Sequence, residues 1–247
     1  MKISIITITF NSAKTLSRTL ESVQSQTYAD IEHIIVDGAS TDNTRSMIEA
    51  YAAAHTNVRY VSEPDDGIYN ALNKGIKMAT GDIIGFLHSD DIFYCADSIA
   101  HIAAAFTVSK ADVVYGDLQY CHAEKVTRRW KSNAFRPRGL KYGWMPPHPT
   151  VYVRREVYEQ IGLYDEWFRI SADYDMMLRI FSAGYPSYYL PEVLVCMETG
   201  GASNKNTKAR LSKTQEDYIA LKKNHVGAGY LTVACKQLRK VRQFLRH

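Results

Sequence analysis

The chain has 247 residues, 46% hydrophobic and 23% charged, with a formal net charge of +4. That length suits one large globular domain with a sizeable core, and no stretch approaches the ~20 apolar residues a spanning helix needs. The charge is uneven: residues 218–247 hold seven basic side chains and no acid, leaving 23 basic and 26 acidic residues in 1–217, a mildly acidic body with a basic tail.

Residues 2–9 are apolar and β-rich. They lack a small-residue cleavage site, so they read as a first strand and not as a signal peptide. Residues 12–26 follow as a helix with Leu16, Leu20 and Val23 on one face. Residues 31–36 form a second strand, and Gly38 to Thr44 is a turn rich in capping residues. A helix over 44–54, a strand over 58–62, a helix over 67–79 and a strand over 82–87 complete a βαβα rhythm. Such a rhythm predicts an α/β fold with a doubly wound, mostly parallel sheet. Beyond Asp91 the pattern loosens into a helix over 96–108, a strand over 112–115 and antiparallel strand material over 118–130. Met145-Pro-Pro-His-Pro149 is a rigid loop, since proline fixes φ. A short strand over 150–153 and helices over 174–183, 207–223 and 230–245 close the chain. The four cysteines are scattered without a C-x-x-C pair. They predict neither a zinc site nor a disulfide, and a reducing, cytoplasmic setting.

The fourth strand stops at Asp90 and Asp91. Ligands of open α/β sheets bind outside the carboxyl ends of strands. Two acids there suit a hard divalent cation that also grips a diphosphate, although acids at strand-to-helix turns also serve as caps. The first strand-to-helix turn, Thr9 to Thr15, has no glycine. This excludes the G-x-G-x-x-G dinucleotide loop and the P-loop, and it weakens a nucleotidyltransferase reading.

The segments ISIITITFNSAKTLSRTLESVQSQTY, IIVDGASTDNT, EPDDGIYNALNKG and GDIIGFLHSDD together resemble family 2 glycosyltransferases of the inverting GT-A type. The likeness covers about residues 1–200 and is nearest to bacterial transferases that build exopolysaccharide or O-antigen units. It implies a GT-A fold with a smaller antiparallel acceptor-side region and C-terminal helices. Residues 1–205 would be the catalytic domain, with a nucleotide-binding half (1–117) and an acceptor-binding half (118–205). Residues 206–247 would be a helical basic tail.

The resemblance also implies roles. Asp37 would hold the uracil of UDP, a fitting acceptor for an imide N–H, unless it merely opens the following turn. Thr9 and Asn11 would touch base and ribose, with Asn11 alternatively an N-cap. Asp65 would face the nucleotide. Asn73, Lys74 and Gly75 match an Asn-x-Gly element whose preceding arginine is Leu72 here. Lys74 would replace that charge near the diphosphate, or be a solvated lysine. The acidic motif, commonly Asp-x-Asp-Asp, reads His88-Ser89-Asp90-Asp91. Ser89 and Asp90 would contact the nucleotide, and Asp90 and Asp91 would hold Mg²⁺ or Mn²⁺. Asp173 matches the general base, in a motif where Ala172 replaces a glutamate, with Asp175 second in line. A first-turn acid on a helix dipole is its plain alternative. His148 and Trp144 would contact acceptor, the latter as an aromatic wall.

Processive synthases of this kind carry Gln-x-x-Arg-Trp and membrane helices. Arg129-Trp130 lacks the glutamine, which favours a non-processive transfer of one sugar to a saccharide or lipid-linked acceptor. Leu231, Ala234, Leu238, Val241 and Leu245 recur on one face of a basic helix. That pattern suits either an anionic membrane surface at the inner face of the cell membrane or docking on the body. Nothing resembles a nucleic-acid fold. The rival readings are a sugar nucleotidyltransferase and an impaired sugar-nucleotide-binding scaffold.

Overall fold

The computed structural model describes residues 1–122, 125–198 and 207–241. Strands β1 (Ile3–Thr9), β2 (Ile31–Asp37), β3 (Val58–Ser62) and β4 (Ile83–Phe86) pair in parallel in the order β3-β2-β1-β4. Helices α1 (Leu16–Gln24), α2 (Thr44–Ala54) and α3 (Ile68–Met78) join them. Both faces of β1 are covered, so its sequence is a continuous apolar run. Ile6 and Ile8 pack on one side with Leu72, Ile76 and Phe86, and Ile3 and Ile5 pack on the other with Ile83 and Phe106. Gly75 is needed for this packing: a Cβ there would lie 2.4 Å from Ile6 Cγ2, so only glycine lets α3 approach β1.

The second half contains β5 (Asp91–Phe93), α4 (Ser98–Ser109), β6 (Val113–His122), β7 (Lys125–Trp130), α5 (Pro137–Leu140) and β8 (Tyr152–Arg154). It continues with α6 (Arg155–Ile161), α7 (Ala172–Ser182), β9 (Ser187–Glu198), α8 (Thr207–Lys223) and α9 (Tyr230–Val241). The sheet runs on as β4-β8-β6-β9-β5. Here β8 is antiparallel to both neighbours, β9 is parallel to β6 and antiparallel to β5, and β7 forms a hairpin with β6. A mostly parallel half thus passes into a mixed one, as the α/β expectation required.

The sequence pattern does not reveal β9, because Pro191 interrupts it. The strand accommodates the proline by a register shift: Tyr115 pairs Tyr189 and Asp117 pairs Val193, so β9 carries extra residues across the gap. The same pairing corrects the expectation of no disulfide. Gln119 lies opposite Cys196, and Cys121, two residues on, reaches it at a Cα separation of 6.2 Å and forms a disulfide. Cysteines 75 apart in sequence give no local spacing signal. The reducing setting inferred from them loses that support. Cys95 and Cys235 are free.

Helices α8 and α9 pack on the body. In α9, Thr232, Val233 and Lys236 face inward while Leu231 (66% exposed) and Leu238 (67%) face outward. The helix therefore both docks and leaves part of its expected apolar face uncovered. The side chains of Val241 and Leu245 lie outside the described residues. Docking is fastened by Thr232 Oγ1 to the Lys141 carbonyl (2.9 Å) and by Arg239 Nε to the Tyr142 carbonyl (3.0 Å). No helix among the described residues is long and apolar enough to cross a membrane.

Candidate active site

Parallel register places Thr9 beside Asp37 and Asp37 beside Ser62, so three strands end at one level and their loops meet. Asp37, fully buried, accepts from the Ser40 N–H (3.1 Å), the Ser62 hydroxyl (2.7 Å) and the Ser40 hydroxyl. Its Oδ2 takes two of these donors, and Oδ1 keeps an acceptor site. Asp37 thus organises the following turn while retaining capacity for a further donor. Thr9 Oγ1 is buried without a partner.

Asn11 adopts φ +50, a left-handed conformation that asparagine tolerates. Its Oδ1 accepts from the Thr41 N–H (2.9 Å) and Thr41 hydroxyl (3.3 Å), and its own N–H donates to Ser40 Oγ (2.8 Å). It ties the first two strand-end loops together. The N-cap alternative is corrected: Thr15 occupies that position of α1.

Asp65 is ion-paired to Lys74 at 2.8 Å. Lys74 also meets Glu63 at 2.8 Å and the Pro64 carbonyl at 2.9 Å. Its charge is therefore already neutralised, and it brings no unpaired cation to a diphosphate. Asn73 is buried and committed elsewhere: Nδ2 donates to the Tyr164 carbonyl (2.9 Å) and Glu166 (2.7 Å), and Oδ1 accepts from the Tyr164 N–H (2.9 Å). It is a strut under the loop that leads to α7, not a strand-end contact.

At the end of β4, Ser89 Oγ lies 3.0 Å from Ser12 Oγ, tying the acidic motif to the first loop. Asp90 is half-buried. Asp91 is fully buried and neither carboxylate oxygen has a hydrogen-bond partner. Burial, and then the neighbouring Asp90 charge, push its carboxyl well above the usual range. His88 Nδ1 is likewise buried without a partner. Its ring stacks near that of His148 (centroids 6.2 Å), which stacks in turn near Phe86 (5.5 Å). His148 Nε2 sits 2.6 Å from the Tyr164 hydroxyl. Burial lowers its pKa to about 4, against the opposing charge of Asp173, so the imidazole is neutral near pH 7.

Asp173 opens α7, with Oδ1 accepting the Tyr174 N–H at 2.8 Å. Burial pushes its carboxyl up, but Lys213, His148 and Lys236 outweigh this and hold it below the ordinary carboxylate range. It is therefore ionised at neutral pH and able to accept a proton. His88 senses both Asp90 and Asp173. The structure thus brings His88, Asp90, His148 and Asp173 into one electrostatic cluster.

Asp175 is not part of it. Fully buried, it binds Arg179 (2.9 Å), Lys223 (3.3 Å) and Asn224 (2.9 Å) and braces α7 against α8. Trp144 is corrected too. At 4% exposure it packs among Tyr115, Phe135 and Phe181, with Nε1 on Asn133, and offers no open face to a sugar.

Glu216 of α8 was not legible as a site residue. One of its oxygens accepts the Arg169, Ile170 and Ser171 N–H groups at 3.1, 2.8 and 2.9 Å, just before Asp173. Its partners lie 45 to 47 residues away, and no local pattern announces them.

Among the described residues no group of three or more His, Cys, Asp or Glu surrounds a common point. The unpartnered oxygens of Asp91 beside Asp90 nonetheless fit a cation held by one or two carboxylates and completed by substrate phosphates. A separate groove of about 580 Å³, lined by Glu49, Val58, Arg59, Tyr60 and Met78, shares no residue with this cluster. It lacks the convergent polar groups that mark a site of chemistry.

Loops gathered at the carboxyl edge of a parallel sheet, an acidic strand end, and an ionised acid supplied by the mixed half are the arrangement of a GT-A glycosyltransferase. Residues 4–171 match glycosyl transferase family 2. The chain is 35% identical over 206 residues to a PGL/p-HBAD biosynthesis glycosyltransferase of Mycobacterium bovis, covering 81% of this chain and 78% of that one. The fold matches S. aureus TarS 1–349 in complex with UDP-GlcNAc at TM-score 0.72 and 18% identity, over 91% of this chain and 65% of that one. It also matches the mannosyltransferase PcManGT from Pyrobaculum calidifontis in complex with GDP-Man and Mn²⁺ at TM-score 0.68 and 20% identity, over 98% and 75%. The chain therefore spans less than two thirds of that TarS fragment, and 40% of a longer TarS chain. The protein belongs to glycosyl transferase family 2.

Proposed function

We propose that the protein is a non-processive, inverting glycosyltransferase that moves one sugar from a UDP-sugar to a saccharide or lipid-linked acceptor in cell-surface polysaccharide synthesis. What supports this reading is the match of residues 4–171 to glycosyl transferase family 2, together with Asp173 in the first turn of α7, its carboxyl held below the ordinary range chiefly by Lys213 and His148 against its burial. Residues 1–117 hold the nucleotide, 118–205 the acceptor, and 206–247 are the tail, helical over Thr207–Lys223 and Tyr230–Val241.

Thr9, Asn11 and Asp37 bind the nucleoside. Ser89 and Asp90 lie against the diphosphate, with Asp65 flanking them. Asp90, supported by Asp91, would hold Mg²⁺ or Mn²⁺, which when bound offsets charge on the departing nucleoside diphosphate. Asp173 takes the proton of the acceptor hydroxyl as its oxygen attacks the anomeric carbon from the face opposite the leaving group. His148, fixed by Tyr164, lines the acceptor side. The exposed Leu231 and Leu238 on a basic helix support attachment to an anionic membrane surface, at its cytoplasmic face.

Calorimetry of UDP with and without Mn²⁺ tests the donor side. Metal-dependent affinity is expected in the wild type and should be lost in Asp90→Ala with the fold intact. Unchanged metal-dependent affinity in Asp90→Ala would remove Asp90 from the site.

A further inference from the structure

The C-terminal helix reaches the turn that carries Asp173. Lys236 of α9 is buried, and its Nζ lies 2.8 Å from Asp217 Oδ2 of α8 and 3.3 Å from the centre of the Tyr174 ring. Tyr174 follows Asp173 in α7, and its N–H donates to Asp173 Oδ1 at 2.8 Å. Two contacts thus lead from α9 to the Asp173 carboxylate. The backbone permits the approach at Gly143, where a Cβ would stand 2.6 Å from the Lys236 N. Thr232 and Arg239, about one turn to either side of Lys236, fasten the same face of α9 to the Lys141 and Tyr142 carbonyls.

Docking alone does not call for a lysine at this position. Burying an ion pair costs desolvation, and an apolar pair of similar volume often holds two elements together as well or better. A desolvated ammonium over an aromatic face gains a directional attraction that an aliphatic chain lacks. Tyr174 is 1% exposed and its hydroxyl has no hydrogen-bond partner. Its ring is therefore located by packing and by the ammonium, not by its own polar end. Glu216, next to Asp217 in α8, takes the 169–171 N–H groups. The start of α7 is thereby gripped before Asp173 by Glu216 and after it by Lys236 seated on Asp217. Tyr174 and Lys236 both lie beyond residues 4–171, which match the family.

We infer that Lys236 is a positioning residue for Asp173: seated on Asp217, it fixes the Tyr174 ring and with it the first turn of α7, so that docking of the C-terminal helix sets turnover without touching the donor. This role rests on the transferase reading with Asp173 as its base.

The test uses the full chain, Mn²⁺ and the UDP-sugar from which the wild type releases UDP fastest, with water as the acceptor. Lys236→Met/Asp217→Asn removes both charges at nearly constant volume, so the melting temperature should hold. Its kcat should fall roughly ten- to hundred-fold, as for a base displaced by up to ~1 Å, while donor KM and UDP affinity change by less than about three-fold. Tyr174→Leu is the independent arm, decisive also where the neutral pair does not fold. It removes the ring under the ammonium and should lose kcat to a similar degree, again with donor KM kept. Combining the two should cost little more than the larger single loss, because both act through one contact. Full kcat in either folded variant, losses that multiply in the combination, or a donor KM that rises as kcat falls would overturn the inference. A wild type that binds UDP yet releases none from any UDP-sugar would overturn the transferase reading, and the role of Lys236 with it.

Discussion

Replacing Glu216 with alanine removes a single carboxylate oxygen that accepts three consecutive backbone N–H groups, from Arg169, Ile170 and Ser171, at 2.8 to 3.1 Å. A hydrogen bond to a charged acceptor contributes ~1.5–3 kcal/mol. Three bonds to one oxygen do not add fully, and Arg169 is exposed, so water replaces part of the loss there. Ser171 is buried, and its N–H would be left with a poor substitute. We expect Glu216→Ala to destabilise the fold by about 3 kcal/mol, and Glu216→Gln, which keeps an acceptor but not the charge, by about half of that. Because Ser171 is the N-cap of α7 and Asp173 lies in its first turn, the loosened loop should also misplace Asp173, the proposed base. A displacement near 1 Å can lower turnover by up to ~10²-fold. Urea unfolding reads the first effect, and kcat with donor KM at a temperature where the variant stays folded reads the second. The expected pattern is reduced kcat with little change in donor KM. An alanine variant within ~0.5 kcal/mol of wild type, or one with full kcat, would refute the role given to this carboxylate.

Asp173→Asn should retain UDP binding and lose turnover by roughly 10²-fold or more; near-normal turnover would move the base elsewhere. Because the Asp173 carboxyl is held below its usual range, its proton-accepting form persists as pH falls from 7 to about 5, so a rate that drops across that window would contradict the assignment. Leu231→Asp/Leu238→Asp, at exposed positions, should keep the melting temperature but weaken attachment to phosphatidylserine vesicles at low salt, and unaltered attachment would make α9 a purely structural helix. Reduction of Cys121–Cys196, which closes a separation of 75 residues, should lower stability by about 4 kcal/mol on the loop-entropy estimate. Denaturant midpoints with and without reductant measure it.

What the sequence made legible was the part built from local rhythm. The βαβα alternation through Phe86 follows from apolar runs that must be covered on both faces, and the strand-end positions of Thr9, Asp37 and Asp90 follow from it directly. The second half resisted because its determinants are long-range. Pro191 hides β9 until the register shift against Asp117 is seen. The partner of Cys121 and the three partners of Glu216 lie on segments far away in sequence. Trp144, expected as an aromatic wall for the acceptor, is instead enclosed by Tyr115, Phe135 and Phe181, which come from other segments of the chain. Asn73 and Lys74 match a motif, yet one holds the Tyr164 carbonyl and the Glu166 carboxylate and the other is neutralised by Glu63 and Asp65. The match located the element correctly without disclosing which atoms its side chains would meet. The outward Leu231 and Leu238 and the inward Lys236 show the same limit in α9: the helical period identified faces but not which one docks.

The most direct measurement is product analysis with the full chain, Mn²⁺ and a panel of nucleotide sugars. Free nucleoside diphosphate is separated from pyrophosphate by ion-exchange chromatography, and the configuration of the transferred or hydrolysed sugar is followed by NMR. The expected result is nucleoside diphosphate, foremost UDP, released with inversion at the anomeric carbon and at least ~10²-fold slower in Asp173→Asn. Release of pyrophosphate, retention of configuration, or a bound sugar nucleotide that stays intact with every acceptor tried would contradict it.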